Sequence, residues 1–270
     1  MRHFKIILIG LVFLFFGFSS SKVNTSKYPK FKKHFTDFNV QGSFVLYDQK
    51  NDKYYYYNKK NCSKLYTPAS TYKIYNSLVG LETGVIKDEN FIIPWDSVKR
   101  QNPNWNTSQD LQTAFKNSTV WYYQELARRV GVNQSKFWLD KLNYGNKDTS
   151  GSVDKFWLSG GLRISPMQQL QLLIQLQNDQ LPFSKRSIDI VKKIMIEKET
   201  DAYTLRSKTG WGFQNNEDIG WYIGYIEANN NVYYFVNCIQ TKDSKATNFA
   251  KARIEIVYSI LKELNIISIE

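Results

Sequence analysis

Two clusters of aromatic and β-branched segments, one toward each end of the chain, limit the possible folds more than any other feature. Gly42–Tyr47 and Lys53–Asn58 read as strands around a turn at Asp48–Asp52, and their content fits a hairpin. Strand patterns return only at Leu205–Trp211, Ile219–Ala228 and Val232–Gln240, the last two joined by Asn229-Asn230-Asn231. Helical patterns fill the middle. One opens at Ser165-Pro166-Met167-Gln168, with the serine, first-turn proline and glutamine of a capping box, and should run to about Asn178. A last helix is expected from about Ala246 to Leu264. Strands first and last with helices between predict an α/β (α+β) fold: an antiparallel sheet built from both chain ends, flanked by helices, with a helical subdomain. No repeat and no Pro/Gly/Ser-rich linker divides the chain, and 270 residues suffice for one large core.

The first residues read separately. Arg2 and Lys5 precede an apolar run, Ile6–Phe18, followed by Ser19, Ser20 and Ser21, which are the three parts of a secretory signal. The run is shorter than the ~20 residues a spanning helix needs, and no cysteine follows it as a lipoprotein anchor requires. The expected division is a signal peptide over 1–21 and one folded domain over 22–270, exported to the periplasm and free of the membrane after cleavage. Removing the leader takes His3 with it, so His34 is the only histidine left, beside two cysteines. These counts exclude Cys/His zinc fingers and argue against a His-rich metal site or a Ser-His-Asp triad. No metal is expected. Cys62 and Cys238 are expected to stay unpaired, since sequence alone does not bring them together. Lys+Arg number 36 against 24 Asp+Glu, but the lysines beyond an N-terminal arm are scattered. A solvated basic surface is expected, with no nucleic-acid partner.

A nucleophile and a base can be found without histidine. Ser70-Thr71-Tyr72-Lys73 follows Pro68-Ala69 and leads into a helical run. On a helix, positions i and i+3 share a face, which brings Lys73 beside the Ser70 hydroxyl. Ile74, Ser77 and Leu81 extend that face, so burial of Lys73 is expected to depress its pKa. Ser-x-x-Lys alone is a common pattern. It is joined here by Ser118-Thr119-Val120, expected to begin a helix, and by Lys208-Thr209-Gly210 on the first late strand. In this order the three elements resemble the penicillin-recognising serine enzymes. The middle element lacks the Ser-Asp-Asn of class A enzymes. Tyr144-Gly145-Asn146, the run Phe156-Trp157-Leu158-Ser159-Gly160-Gly161-Leu162-Arg163-Ile164-Ser165, the run Lys116 to Gln124 and Lys208-Thr209-Gly210-Trp211-Gly212 are similar to class D β-lactamases, the oxacillinase family.

The resemblance implies a serine β-lactamase that hydrolyses penicillin-type antibiotics through an acyl-enzyme on Ser70 and confers resistance. It implies that Lys73 captures carbon dioxide as a carbamate (N6-carboxylysine), the only added group, in a pocket lined by Val120, Leu158 and Trp157. The Trp157 indole N–H would hold that carbamate, and Ser118 would relay a proton. The backbone N–H groups of Ser70 and Trp211 would form the oxyanion hole. Lys208, Thr209 and Arg253 would hold the substrate carboxylate, with Gly210 leaving the strand open to it. Tyr72 stands where the family usually has Phe and is expected to touch substrate. Arg253 also falls in the apolar stripe of the last helix, among Phe249, Ile256, Val257, Ile260 and Leu264. From the residues alone it either snorkels, pairs with an internal carboxylate or serves the ligand. The enzyme is expected as monomer or homodimer. A penicillin-binding sensor domain and a peptidoglycan carboxypeptidase are the alternatives within the same fold.

Overall fold

Alternation along the strands decides the layering. In β2 (Gln41–Asp48), Phe44 and Leu46 face one side and Val45 the other. β6 (Glu217–Ala228) and β7 (Asn231–Thr241) send Trp221, Ile223 and Val236 to the Val45 side, and Tyr222, Ile226, Phe235 and Ile239 to the opposite one. Both faces are covered, which is why these segments read as nearly unbroken hydrophobic runs. The structure is a computed structural model and describes the backbone of residues 24–27 and all of residues 30–268. The leader expected over 1–21 lies outside the described residues.

Among the described residues, seven strands form one sheet in the order β1-β3-β2-β7-β6-β5-β4, with β1 at Asn24–Lys27, β3 at Lys53–Tyr57, β4 at Ile196–Glu199 and β5 at Tyr203–Gln214. The expected hairpin is β2–β3, and β2 pairs with β7 in the register Val45↔Val236, so both chain ends do close the sheet. The β1–β3 pair is parallel and all others are antiparallel. The sequence pattern missed β1 and β4. Each has only four residues, and Ile196-Glu197-Lys198-Glu199 is too short and too charged to stand out from a loop.

α1 (Phe31–Thr36) and α8 (Phe249–Glu263) cover one face of the sheet, burying Phe31, Phe35, Ile256 and Ile260 there. α8 starts three residues later than expected. Asp243 Oδ1 accepts from the Lys245 and Ala246 N–H groups at 3.2 and 2.9 Å, which holds 243–247 in a turn before the helix begins. The other face carries α2 (Lys73–Glu82), α3 (Leu111–Lys116), α4 (Val120–Val130), α5 (Val132–Lys141), α6 (Pro166–Gln177) and α7 (Lys185–Ile194). α6 has the predicted capping box: Gln168 N–H donates to Ser165 Oγ at 3.2 Å and Ser165 N–H to Gln168 Oε1 at 3.1 Å, an arrangement typically contributing about 1 kcal/mol. α2 runs through the middle of this layer, and every residue from Lys73 to Leu81 is buried. The lysine that opens this helix is buried with it. Cys62 and Cys238 are both free and buried.

Candidate active site

Ser70 lies in a single 3₁₀ turn, Ala69–Tyr72, that passes directly into α2. Ala69 has φ 47°, a left-handed backbone that a residue with a Cβ adopts only when its surroundings enforce it. Ala69 N–H donates to Trp157 O at 3.0 Å, Thr67 Oγ1 to the same carbonyl at 3.3 Å, and Trp221 Nε1 to Thr67 O at 2.9 Å. Below the turn, Gln169 Nε2 donates to Thr71 Oγ1, which donates to Pro68 O, both at 2.7 Å. Ser70 thus rests on a clamped segment whose partners come from the Phe156-Trp157-Leu158 run and from β6.

Lys73 Nζ lies 2.6 Å from Ser70 Oγ and 3.4 Å from Ser118 Oγ. The side chain has no exposed surface, and its Nζ is 5.4 Å from the centre of the Tyr123 ring. Burial, reinforced by the charge of Lys208, holds the Lys73 amine well below the usual lysine range. Ser118 reaches this group from a left-handed position, φ 52°, between α3 and α4. It was expected to open a helix. Instead Thr119 is the N-cap and Val120 the first residue of α4: its left-handed backbone takes Ser118 out of the helix, while the Ser118 and Thr119 N–H groups close α3 onto Phe115 O and Ala114 O.

β5 forms the opposite wall. Ser207 N–H donates to Met195 O at 2.9 Å, away from β6. The β5–β6 register is unbroken from Tyr203 to Gln214, so by two-residue alternation Thr209 and Trp211 turn their N–H groups to the same side. β4 pairs only as far along β5 as Arg206, which leaves that edge open beside Ser70. The glycines flanking Trp211 let the strand come this close. A Cβ on Gly212 would lie 2.6 Å from Thr67 Cγ2, and one on Gly210 would lie 3.1 Å from Thr71 Cγ2.

Lys208 is buried, with Nζ 3.5 Å from Thr209 Oγ1 and 5.4 Å from the Phe115 ring centre. Burial and then Arg253 pull its pKa down to about 7, against an opposing push from Glu197. Arg253 donates from Nη1 to Gly210 O at 2.7 Å and lies 5.5 Å from the Trp211 ring. Among the described residues it has no carboxylate partner, and burial lowers it to about 10. Of the readings open at the sequence level, the internal ion pair is therefore removed.

Trp157 is buried, and its indole N–H has no hydrogen-bond partner among the described residues. Such a donor is costly unless an acceptor comes to it. Tyr72 packs 5.5 Å from Trp157, 5.3 Å from Phe156 and 5.4 Å from Tyr144, ring centre to ring centre, and is 3% exposed. It supports the Ser70 turn from within an aromatic cluster. Val120 and Leu158 are half-buried. Trp211 is exposed, donating to Asp218 Oδ1 at 2.7 Å. His34 is bound to Glu263 at the α1–α8 contact. Sequence reasoning missed Tyr123, Phe115 and Gln169; only the i, i+3 spacing of Val120 and Tyr123 on α4 hinted at any of them.

Residues 42–262 match the penicillin binding protein transpeptidase domain family. The probable β-lactamase YbxI of Bacillus subtilis (strain 168) is 39% identical across 85% of this chain and 83% of its own length. A crystal structure of a class D β-lactamase from Sebaldella termitidis superposes with a TM-score of 0.88 at 38% identity, covering 92% of this chain and 100% of that one. The chain belongs to the class D β-lactamases. The regulatory protein BlaR1 of Bacillus licheniformis is also similar, 35% identical across 89% of this chain but only 39% of its own length. In this class D β-lactamase, the hydroxyls of Ser70 and Ser118 meet at one amine, while Lys208 and Arg253 make the strand side of the cleft cationic. An anionic ligand suits that side.

Proposed function

We propose that the enzyme hydrolyses the amide of penicillin-type β-lactams through an acyl-enzyme on Ser70. The observation that carries this reading is a wholly buried lysine amine 2.6 Å from the serine hydroxyl. Ser70 Oγ loses its proton toward Lys73 and attacks the lactam carbonyl. The oxygen that becomes negative is received by the N–H groups of Ser70 and Trp211. Ser118 passes a proton to the departing lactam nitrogen, with Lys208 nearby to favour the transfer. Lys208, Thr209 and the Arg253 fork hold the substrate carboxylate. Carbon dioxide bound by the Lys73 amine would supply a fixed anionic base at that nitrogen. Two features of the chain fit such a group: an amine kept neutral by burial, the form that attacks carbon dioxide, and a Trp157 N–H that lacks an acceptor. Val120 and Leu158 would keep the hollow apolar. The leader over 1–21 would export the enzyme to where it intercepts the drug and so confers resistance.

The likeness to BlaR1 makes an acylated sensor the second reading. Burst and steady-state hydrolysis of a chromogenic cephalosporin, with and without bicarbonate, separates the two. Sustained turnover stimulated by bicarbonate is expected. One product per enzyme molecule, and then silence, would favour the sensor. Arg253→Ala should raise KM by roughly 10- to 100-fold, the worth of a hydrogen-bonded charge, with much less effect on kcat. An esterified substrate should not feel the change, and an equal loss with the ester would remove Arg253 from carboxylate binding.

A further inference from the structure

Ser118 carries a Cβ yet holds a left-handed backbone, φ 52°. Such a conformation persists only where neighbouring structure enforces it. In the proposed relay its hydroxyl turns between Lys73 Nζ, 3.4 Å away, and the substrate, so the backbone must fix where the oxygen lies. The bonds from the Ser118 and Thr119 N–H groups back to α3 hold one side of this turn. Two further ties grip the residues on either side of Ser118. Both come from residues 105–109, which belong to none of the motifs above.

After Ser118, Thr119 caps α4, a place where threonine usually accepts a bond from the first turn of its helix. Here the side chain makes no capping bond, and its hydroxyl donates to Gln109 Oε1 at 2.6 Å instead. Both residues are buried. Gln109 is itself pinned at three points. Its Nε2 donates to Asn104 O, its backbone N–H donates to Ile93 O at 3.3 Å, and its carbonyl accepts from Ile93 N–H at 2.9 Å. Before Ser118, Asn117 O accepts from the Trp105 indole at 3.0 Å, and Trp105 O accepts from the Trp121 indole of α4 at 2.8 Å.

We propose that Gln109 is a positioning residue for Ser118: fixed to Ile93 and Asn104, it grips Thr119 and holds the Ser118 turn where its hydroxyl meets both Lys73 and the departing lactam nitrogen. A buried hydroxyl deprived of its acceptor turns to another. For Thr119 the ordinary alternative is the capping bond to the first turn of α4, and taking it would loosen the tie on Ser118. A misplacement of about 1 Å at a reacting group is enough for a loss near 100-fold. Gln109 therefore acts on acylation, where the nitrogen leaves, and not on carboxylate binding. The inference rests on the reading that Ser118 relays the proton to that nitrogen.

The test compares two acyl donors in the full-length enzyme, by stopped-flow acylation rates at saturation. Benzylpenicillin has a leaving nitrogen that needs a proton. The meta-carboxyphenyl thioester of phenylacetylglycine has a leaving sulfur that departs as the anion, and its ring carboxylate still offers an anion to Lys208 and Arg253. Gln109→Leu should slow acylation by benzylpenicillin roughly 10- to 100-fold and leave the thioester within about twofold of the parent. Thr119→Val, which removes the donor and keeps the shape, should do the same, and it stands in should the leucine variant not fold. Thr119→Ser keeps the hydroxyl and should restore the rate. Added to Ser118→Ala, Gln109→Leu should cost nothing further, because the residue it serves is gone. Equal losses with both donors, or a full second loss on the Ser118→Ala background, would mean that Gln109 supports the fold rather than the relay and would overturn the inference. Unchanged acylation by benzylpenicillin would overturn it too. Failure of the relay reading looks different and removes the inference with it: Ser118→Ala itself then slows both donors alike, or neither.

Discussion

Lys73→Ala should stop turnover, lowering kcat for a penicillin by about 10³-fold or more, the scale expected when a positioned general base is lost. The expectation follows from how few groups can take a proton at this site. Lys73 Nζ is the basic atom within hydrogen-bonding distance of Ser70 Oγ, at 2.6 Å, and the same atom reaches Ser118. His34 is engaged with Glu263 on the other side of the sheet and offers no substitute. Intact-protein mass measured after mixing with a penicillin should show either no adduct or one that persists, because whatever acylation survives has no base to activate water. Lys73→Arg should be equally inert: a guanidinium stays charged and neither accepts the serine proton nor captures carbon dioxide. Acidification should resemble these variants, because protonating the depressed Lys73 amine removes the same base, and activity should return on raising the pH. Hydrolysis by Lys73→Ala within tenfold of the parent would sink the mechanism, whatever the mass spectrum showed.

The residues proposed to carry this chemistry are legible because each lies within a short local pattern. Ser70 and Lys73 are one helical turn apart, and the burial of Lys73 follows from the apolar run behind it. The capping box of α6 is likewise local, and it formed as read. Features that depend on distant segments were not legible. The left-handed turn at Ser118 carries no glycine to announce it and exists because α3 closes on itself there. The helical wheel put Arg253 in an apolar stripe but could not show that its partner is a strand carbonyl, Gly210 O, forty-three positions away in sequence. Tyr72 was read as a ligand contact from its place beside the nucleophile, yet Phe156, Trp157 and Tyr144 enclose it.

Trp157→Phe should leave the protein folded and its activity strongly dependent on added bicarbonate. The ring remains to fill the space beside Tyr72 and Phe156, while the N–H that has no partner among the described residues disappears. In the parent, that N–H is an unsatisfied buried donor, so removing it costs the empty pocket nothing and relieves a desolvation penalty. The thermal midpoint without bicarbonate should therefore stay level or rise. A charged group on Lys73 loses its hydrogen bond in the variant, and bonds to charged acceptors contribute about 1.5–3 kcal/mol. The bicarbonate needed for half-maximal turnover should thus rise by roughly 10- to 100-fold, with kcat largely recovered at saturation. The carbamate carbon signal in ¹³C-bicarbonate should weaken in parallel. Parent and variant sharing one bicarbonate requirement would mean that the indole N–H serves no group on Lys73. A fall in the thermal midpoint of the bicarbonate-free variant would mean instead that Trp157 is there for packing.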